Sequence, residues 1–162
     1  MGLREATHAD WPALLAMNAA SVRELSPLDE QRLRYILALA HRSLVVERAS
    51  EVVAFAVAIG PDADYDSRNY GWFGERYERF LYLDRIAVSA SLRRQGIGAQ
   101  LYDAMEQAAA PFERMVCDVN IEPPNEVSLA FHAFRGYVQV GRLEHGAAKT
   151  VALLSKELRA RG

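Results

Sequence analysis

Between Leu81 and Tyr102 the chain passes from a strand-forming stretch through a basic, glycine-containing turn directly into a helix. Leu81 to Val88 has strand character. Ser89 to Gly98 is polar and carries Arg93, Arg94, Gln95, Gly96 and Gly98, and from Gly98 to about Ala109 the residues Leu101, Tyr102 and Met105 recur at helical spacing. Such a junction commits the fold to a sheet with helices layered on it. It also makes a place for an anion. The first N–H groups of a helix have no partner within the helix, and the aligned peptide dipoles put partial positive charge there, so a phosphate satisfies both deficits. Glycines at 96 and 98 let the main chain approach phosphate oxygens without a Cβ in the way, and Arg93 and Arg94 add side-chain charge. The spacing is not that of the dinucleotide fingerprint, and no Gly-Lys-Ser/Thr sequence is present to serve a nucleoside triphosphate. Taken alone, the turn also fits an ordinary strand-to-helix connection.

The rest of the chain alternates in the same manner. Leu3 to Ala6 reads as a short strand, and Thr7, His8 and Asp10 offer capping chemistry ahead of Trp11-Pro12 and a helix to about Ala20. A polar connector from Ser21 to Leu25 leads to a second amphipathic helix from Ser26-Pro27 to Ala40. Leu44–Arg48 and Val52–Ile59 read as an antiparallel hairpin. Gly60 to Arg79 has no sustained period and reads as a long surface loop with room for one helical turn. A strand from Met115 to Val119, a rigid Pro123-Pro124 turn, and a helix from Asn125 to Arg135 with Gly136 as its left-handed cap follow. Strands near Tyr137–Leu143 and Lys149–Leu154 come last. The expected class is α+β, a mixed sheet flanked by helices, as one domain over residues 1–162.

Composition narrows the function. A chain of 162 residues with a formal net charge of −2 has no basic field for sequence-independent binding to nucleic acid. No apolar run approaches the ~20 residues that span a bilayer, so no membrane partner is expected. One cysteine, Cys117, excludes an internal disulfide, and no Cys/His spacing suggests a metal. A reducing cytoplasm suits this inventory. Cys117 lies in an expected buried strand without a basic neighbour and reads as a core thiol.

The junction at Arg93–Gly98 resembles the GNAT superfamily of N-acetyltransferases, whose signature Q/R-x-x-G-x-G/A is met by Arg93, Gly96 and Gly98. A second segment, Asn125 to Tyr137, is similar to that family's N-x-x-A-x-x-x-Y-x-x-x-G-F pattern, and the order of elements agrees over nearly all of residues 3 to 156. The resemblance implies the family's acyl-CoA N-acyltransferase fold, an αβα-layered domain with a mostly antiparallel sheet, and acetyl-CoA as acyl donor. It implies that the backbone of Ile86, Ala87 and Val88 pairs with the pantetheine arm. Arg93, Arg94, Gln95, Gly96, Ile97 and Gly98 would hold the pyrophosphate, and Asn125 and Ser128 would lie along the arm. Two departures stand out: Ser128 replaces an alanine, and His132 stands where the family commonly has the tyrosine that protonates the departing thiolate.

The chemistry admits a histidine there, since an unperturbed pKa of ~6.5 allows proton donation near neutrality. The competing reading is a satisfied core histidine beside Phe131 and Phe134. The protonated acceptor amine requires a base. Asp84 is the candidate, on the cofactor-pairing strand and sharing a face with Tyr82 and Ile86 by alternation. Alternatively Asp84 pairs with Arg85 or Arg79, or binds the acceptor cation without taking its proton. Tyr65, Tyr70, Trp72, Phe73 and Tyr77 either line an acceptor pocket, with Asp62, Asp64 and Asp66 attracting an amine, or cover the core. The expected activity is direct acetyl transfer to a small-molecule or peptide amine, without a covalent acyl-enzyme. Transfer of a longer acyl group, or a CoA-binding sensor without catalysis, are the rivals. A homodimer is compatible with the apolar last strand.

Overall fold

The computed structural model of the chain describes residues 2–21 and 25–158. Its strands are β1 (Gly2–Glu5), β2 (Arg42–Arg48), β3 (Glu51–Ile59), β4 (Leu81–Val88), β5 (Arg114–Glu122), β6 (Val138–His145) and β7 (Lys149–Glu157). They form one sheet in the order β1-β2-β3-β4-β5-β7-β6. Every neighbouring pair is antiparallel except β4 and β5, which are parallel. Parallel neighbours need a crossover, and it is supplied by α4 (Ile97–Ala109). The other helices are α1 (Trp11–Ala20), α2 (Glu30–Leu39), α3 (Arg68–Arg76) and α5 (Glu126–Phe134).

Strand alternation divides the core into two layers. On β3, Ala54, Ala56 and Ala58 face the layer that holds Leu101, Tyr102 and Met105 of α4, while Phe55, Val57 and Ile59 face Leu14 of α1, Leu33 and Ile36 of α2, and Phe73 of α3. Small residues on one face let α4 sit close to the sheet. Large ones on the other fill the space under three helices. The αβα layering expected from the sequence is therefore present.

Four elements differ from the expectations. The stretch read as loop contains α3, a full nine-residue helix. Ser67 caps it by accepting from the Tyr70 amide at 3.2 Å, and Tyr70 and Phe73, three residues apart, are buried together. Gly71 and Gly74 each cost such a helix about 1 kcal/mol, which hides it from propensity, and burial of the aromatic face overrides them. Helix α2 begins at Glu30 because the Asp29 side chain accepts from the Arg32 amide at 2.7 Å. Strands β5 and β7 extend to Glu122 and Glu157, since each is the other's antiparallel partner along its length. Of the connector expected at Ser21–Leu25, residues 22–24 lie outside those described.

Candidate active site

The site begins where the sheet splits. β4 and β5 pair only at Leu81–Met115 and Tyr82–Val116 and then part. On β4 a bulge coincides with the parting: Val57 of β3 pairs with Arg85 and Ala58 with Leu83, so Asp84 is the extra residue. A bulge bends its strand and reverses the alternation beyond it. This corrects the expectation that Asp84 and Ile86 share a face. Ile86 and Val88 pack in the α4 layer, whereas Tyr82 and Ala87 lie in the layer of α1, α2 and α3. Beyond the split a cavity of about 910 Å³ opens, lined among others by Ile86, Ala87, Val88, Asn125, Ser128, Asp84 and His132.

One end of the cavity is the head of α4. Arg94 (φ 67°) and Gly96 (φ 81°) both take left-handed backbone ahead of Ile97. Arg93, Arg94, Gly96, Ile97 and Gly98 line the cavity. Gln95 does not, and its side-chain oxygen accepts from Arg48 Nη1 at 3.2 Å. The first helical bond at this end, Gln100 N–H to the Gly96 carbonyl at 3.0 Å, leaves the amides of Ile97, Gly98 and Ala99 to an anion. These features fit a pyrophosphate.

The α4 side carries Tyr102, Ser128 and His132. Asn125 caps α5 by accepting from the Ser128 amide at 3.2 Å, and at the other end Tyr137 N–H reaches the His132 carbonyl at 3.0 Å across left-handed Gly136. This cap locks His132 in place. Its Nδ1 lies 2.7 Å from the Ser128 carbonyl, which can only accept, so Nδ1 bears the hydrogen. Nε2 then accepts from the Tyr102 hydroxyl at 2.5 Å. Burial lowers the pKa of His132, so the ring is neutral near pH 7. With both nitrogens engaged, His132 can reach a departing sulfur only through the Tyr102 hydroxyl. Cys117 is 3% exposed, and burial pushes its thiol well up, as expected of a core cysteine.

On the opposite face lies an acidic cluster. Asp84 Oδ1 accepts from Tyr65 at 2.5 Å and Oδ2 pairs with Arg85 Nε at 2.7 Å, both side chains being 4% exposed. Arg85 Nη1 and Nη2 bond Asn18 at 2.9 Å and the Ser26 hydroxyl at 3.2 Å, tying β4 to α1. The carboxylate of Asp118 on β5 accepts from Tyr82 at 2.6 Å. Although the residue keeps some surface toward the cavity, burial of its carboxyl pushes the pKa up to about 6, aided by the nearby charge of Asp84 and opposed by Tyr82, Asn69 and Lys149. Sequence reasoning did not single out Asp118. The signal available was an aspartate alternating with Val116 inside an otherwise apolar strand. Of the five loop aromatics, only Tyr65 lines the cavity; Tyr70 and Phe73 are core. Asp62 and Asp64 do not line it, and Asp66 is held by Arg32 through two bonds of 2.6 and 2.7 Å.

The architecture defines a class: a mixed sheet opened between two parallel strands, with a helix head at one end of the opening, is the acyl-CoA N-acyltransferase fold. The sequence model of the Acetyltransferase (GNAT) family matches residues 3–137, and the chain belongs to that family. None of the curated proteins matches the sequence significantly. Among solved structures, the ribosomal-protein-alanine N-acetyltransferase from Brucella melitensis is similar at 24% identity and TM-score 0.72, covering 98% of this chain and 100% of its own. Ard1 from Thermoplasma volcanium aligns at 17% identity and TM-score 0.76, over 97% of each chain. YncA from Salmonella typhimurium, a putative acetyltransferase solved with its cofactor acetyl-CoA, aligns at 20% identity and TM-score 0.73, over 100% of this chain and 96% of that one. At such identities these likenesses establish the fold. Among the described residues no group of three or more His, Cys, Asp or Glu side chains is placed to hold a metal, and no helix is long and apolar enough to cross a membrane.

Proposed function

We propose that the protein is an N-acetyltransferase in which a primary amine, bound on the α1–α3 face of the sheet, attacks an acetyl thioester presented through the gap between β4 and β5. The observation that carries this reading is the gap itself, with an anion-binding helix head on one side of the sheet and an acidic cluster on the other. Acetyl-CoA, when bound, supplies the acetyl thioester. Ile86, Ala87 and Val88 offer their unpaired backbone edge to the pantetheine amides, Arg93, Arg94, Gly96, Ile97 and Gly98 hold the pyrophosphate, and Asn125 and Ser128 border the arm.

Asp118 takes the proton of the attacking ammonium, since a carboxylate with pKa about 6 is ionised at neutrality yet more basic than an ordinary one. Asp84 has both oxygens bonded and supplies negative charge to the same seat while holding Arg85 and Tyr65 in place. Tyr102 turns its hydroxyl from His132 to the sulfur and stabilises the thiolate, with His132 as the anchor that positions it. As the C–N bond forms and the C–S bond breaks, the proton lost by nitrogen passes to Asp118, and CoA leaves as a thiolate held by a hydrogen bond from the Tyr102 hydroxyl and takes its proton from water on release. The cytoplasm suits the single reduced cysteine.

The test is twofold. Calorimetric titration should show stoichiometric CoA binding, and an amine panel with acetyl-CoA should show thiol release matched by acetylated product. Binding without product from any amine would favour a CoA-binding sensor. Faster transfer from a longer acyl thioester would replace acetyl as the donor.

A further inference from the structure

The acceptor half of the cavity carries positive charge that nothing in the acetyl-transfer reading uses. Arg68 is the first residue of α3, His145 the last of β6 and Lys149 the first of β7, and all three line the cavity together with Asp118. The fold brings them together through two cross-links. Arg68 Nη1 donates to the Glu144 carbonyl at 2.9 Å, and His145 Nε2 meets Asn69 Oδ1 at 2.9 Å. Lys149 pairs with His145 across the β6–β7 turn.

The other cations near this half are neutralised. Arg32 is paired with Asp66 at 2.6 Å and Arg85 with Asp84 at 2.7 Å. Among the described residues, neither Arg68 nor Lys149 forms an ion pair with a carboxylate. A cavity wall that leaves two cations uncancelled while cancelling two others is arranged for an anion from outside.

The geometry relative to the base is also defined. Asp118 pairs with Leu153 of β7, so Lys149 stands four residues along the same strand, about 13 Å at ~3.3 Å per residue. Alternation puts Lys149, Val151 and Leu153 on one face, the face of α3 and Asp118. Lys149 and Asp118 both line the cavity, and the Lys149 charge is felt by the Asp118 carboxyl.

We propose that the acceptor is a small amine that also carries a carboxylate, an amino acid in free form, with its ammonium at Asp118 and its carboxylate between Arg68 and Lys149. This rests on the acetyltransferase reading and specifies its substrate class. A polyamine would place a second cation against Arg68 and Lys149, and a peptide N-terminus would replace the free carboxylate by a neutral amide.

The experiment compares free amino acids with their methyl esters and carboxamides, together with 1,4-diaminobutane and short neutral peptides, by thiol release with acetyl-CoA. Losing a charge-assisted carboxylate contact should lower kcat/KM about 10- to 100-fold, so the free acids should lead by that factor. In Arg68→Gln and Lys149→Gln the lead of acid over ester should collapse toward parity, mainly through KM. A second readout needs no turnover: with CoA bound, the accepted amino acid should raise the melting temperature of the wild type and not of the double variant. Esters, diamines or peptides used as well as the acids, an unchanged acid-to-ester ratio in both variants, or no thermal effect from any free amino acid would each overturn the proposal. Transfer confined to amines without a carboxylate would overturn it while leaving acetyl transfer intact; absence of CoA binding would remove the acetyltransferase reading itself.

Discussion

Asp118 and Arg85 show how single buried charges act here in opposite directions. Asp118 has its pKa pushed up to about 6 chiefly by burial, so the folded protein holds its proton more tightly than the unfolded chain does. Below the unfolded value near 3.8 there is no penalty; between that and about 6 the penalty grows, and above it folding carries the full cost, about 3 kcal/mol. Asp118→Asn should therefore be more stable than wild type at pH 7 and equally stable at pH 3, by urea denaturation. If Asp118 is the base, the same substitution should lower kcat by about 10²–10⁴ and remove the acid limb of the kcat–pH profile, which in the wild type should break near pH 6. A variant that gains stability and loses rate separates catalysis from misfolding. Arg85 behaves otherwise. Its guanidinium bonds Asp84, Asn18 and Ser26, and Arg85→Met leaves the Asp84 carboxylate with Tyr65 alone. The expected loss is about 3–5 kcal/mol. Adding Asp84→Asn should recover part of it, and equal losses in single and double variants would show that the pair is not the source.

At the scale of elements, α3 is held to the sheet by a contact that its own sequence does not announce. The Trp72 indole lies over Gly141 of β6, where an added Cβ would run into the ring. Gly141→Ala should displace Trp72, destabilise the protein by about 1–3 kcal/mol and red-shift the tryptophan emission above the constant background of Trp11. An unshifted spectrum at full stability would show that the strand yields instead. Because Arg68 and Asn69 open the same helix, this variant should also weaken acceptor use more than CoA binding. Helix α4 presents the simpler case: its inward Leu101, Tyr102 and Met105 were legible locally, while the left-handed backbone at Gly96 emerged only in the fold.

For the molecule as a whole, β4 and β5 at the centre of the sheet pair over only two residues before they part, and a ligand that bridges the opening should stabilise the entire fold. CoA at a hundred times its dissociation constant should add about 2.7 kcal/mol, or roughly 5–10 °C in melting temperature for a chain of this size. Hydrogen exchange should slow most at the amides of β4 beyond Tyr82 and at Ile97 to Ala99. Stabilisation with protection confined elsewhere would place the ligand outside the gap. The αβα layering was implied by the family resemblance, whereas the order of strands and helices, the cap at Gly136 and the core position of Cys117 followed from periodicity and capping, which depend on residues a few positions apart. The anion-binding head of α4 is local for the same reason. What the chain order left open was decided by strand register. The bulge at Asp84 reverses which β4 side chains face which layer, the parting of β4 from β5 makes the cavity, and the crossover through α4 sets Asp118 beside Tyr82 from 36 residues away. Arg68 and Lys149 meet on the same wall only because α3 and the β6–β7 turn pack together. Nothing in local spacing encodes such meetings, since hydrogen-bond partners across a sheet are chosen by the burial of whole faces rather than by the residues adjoining each charge.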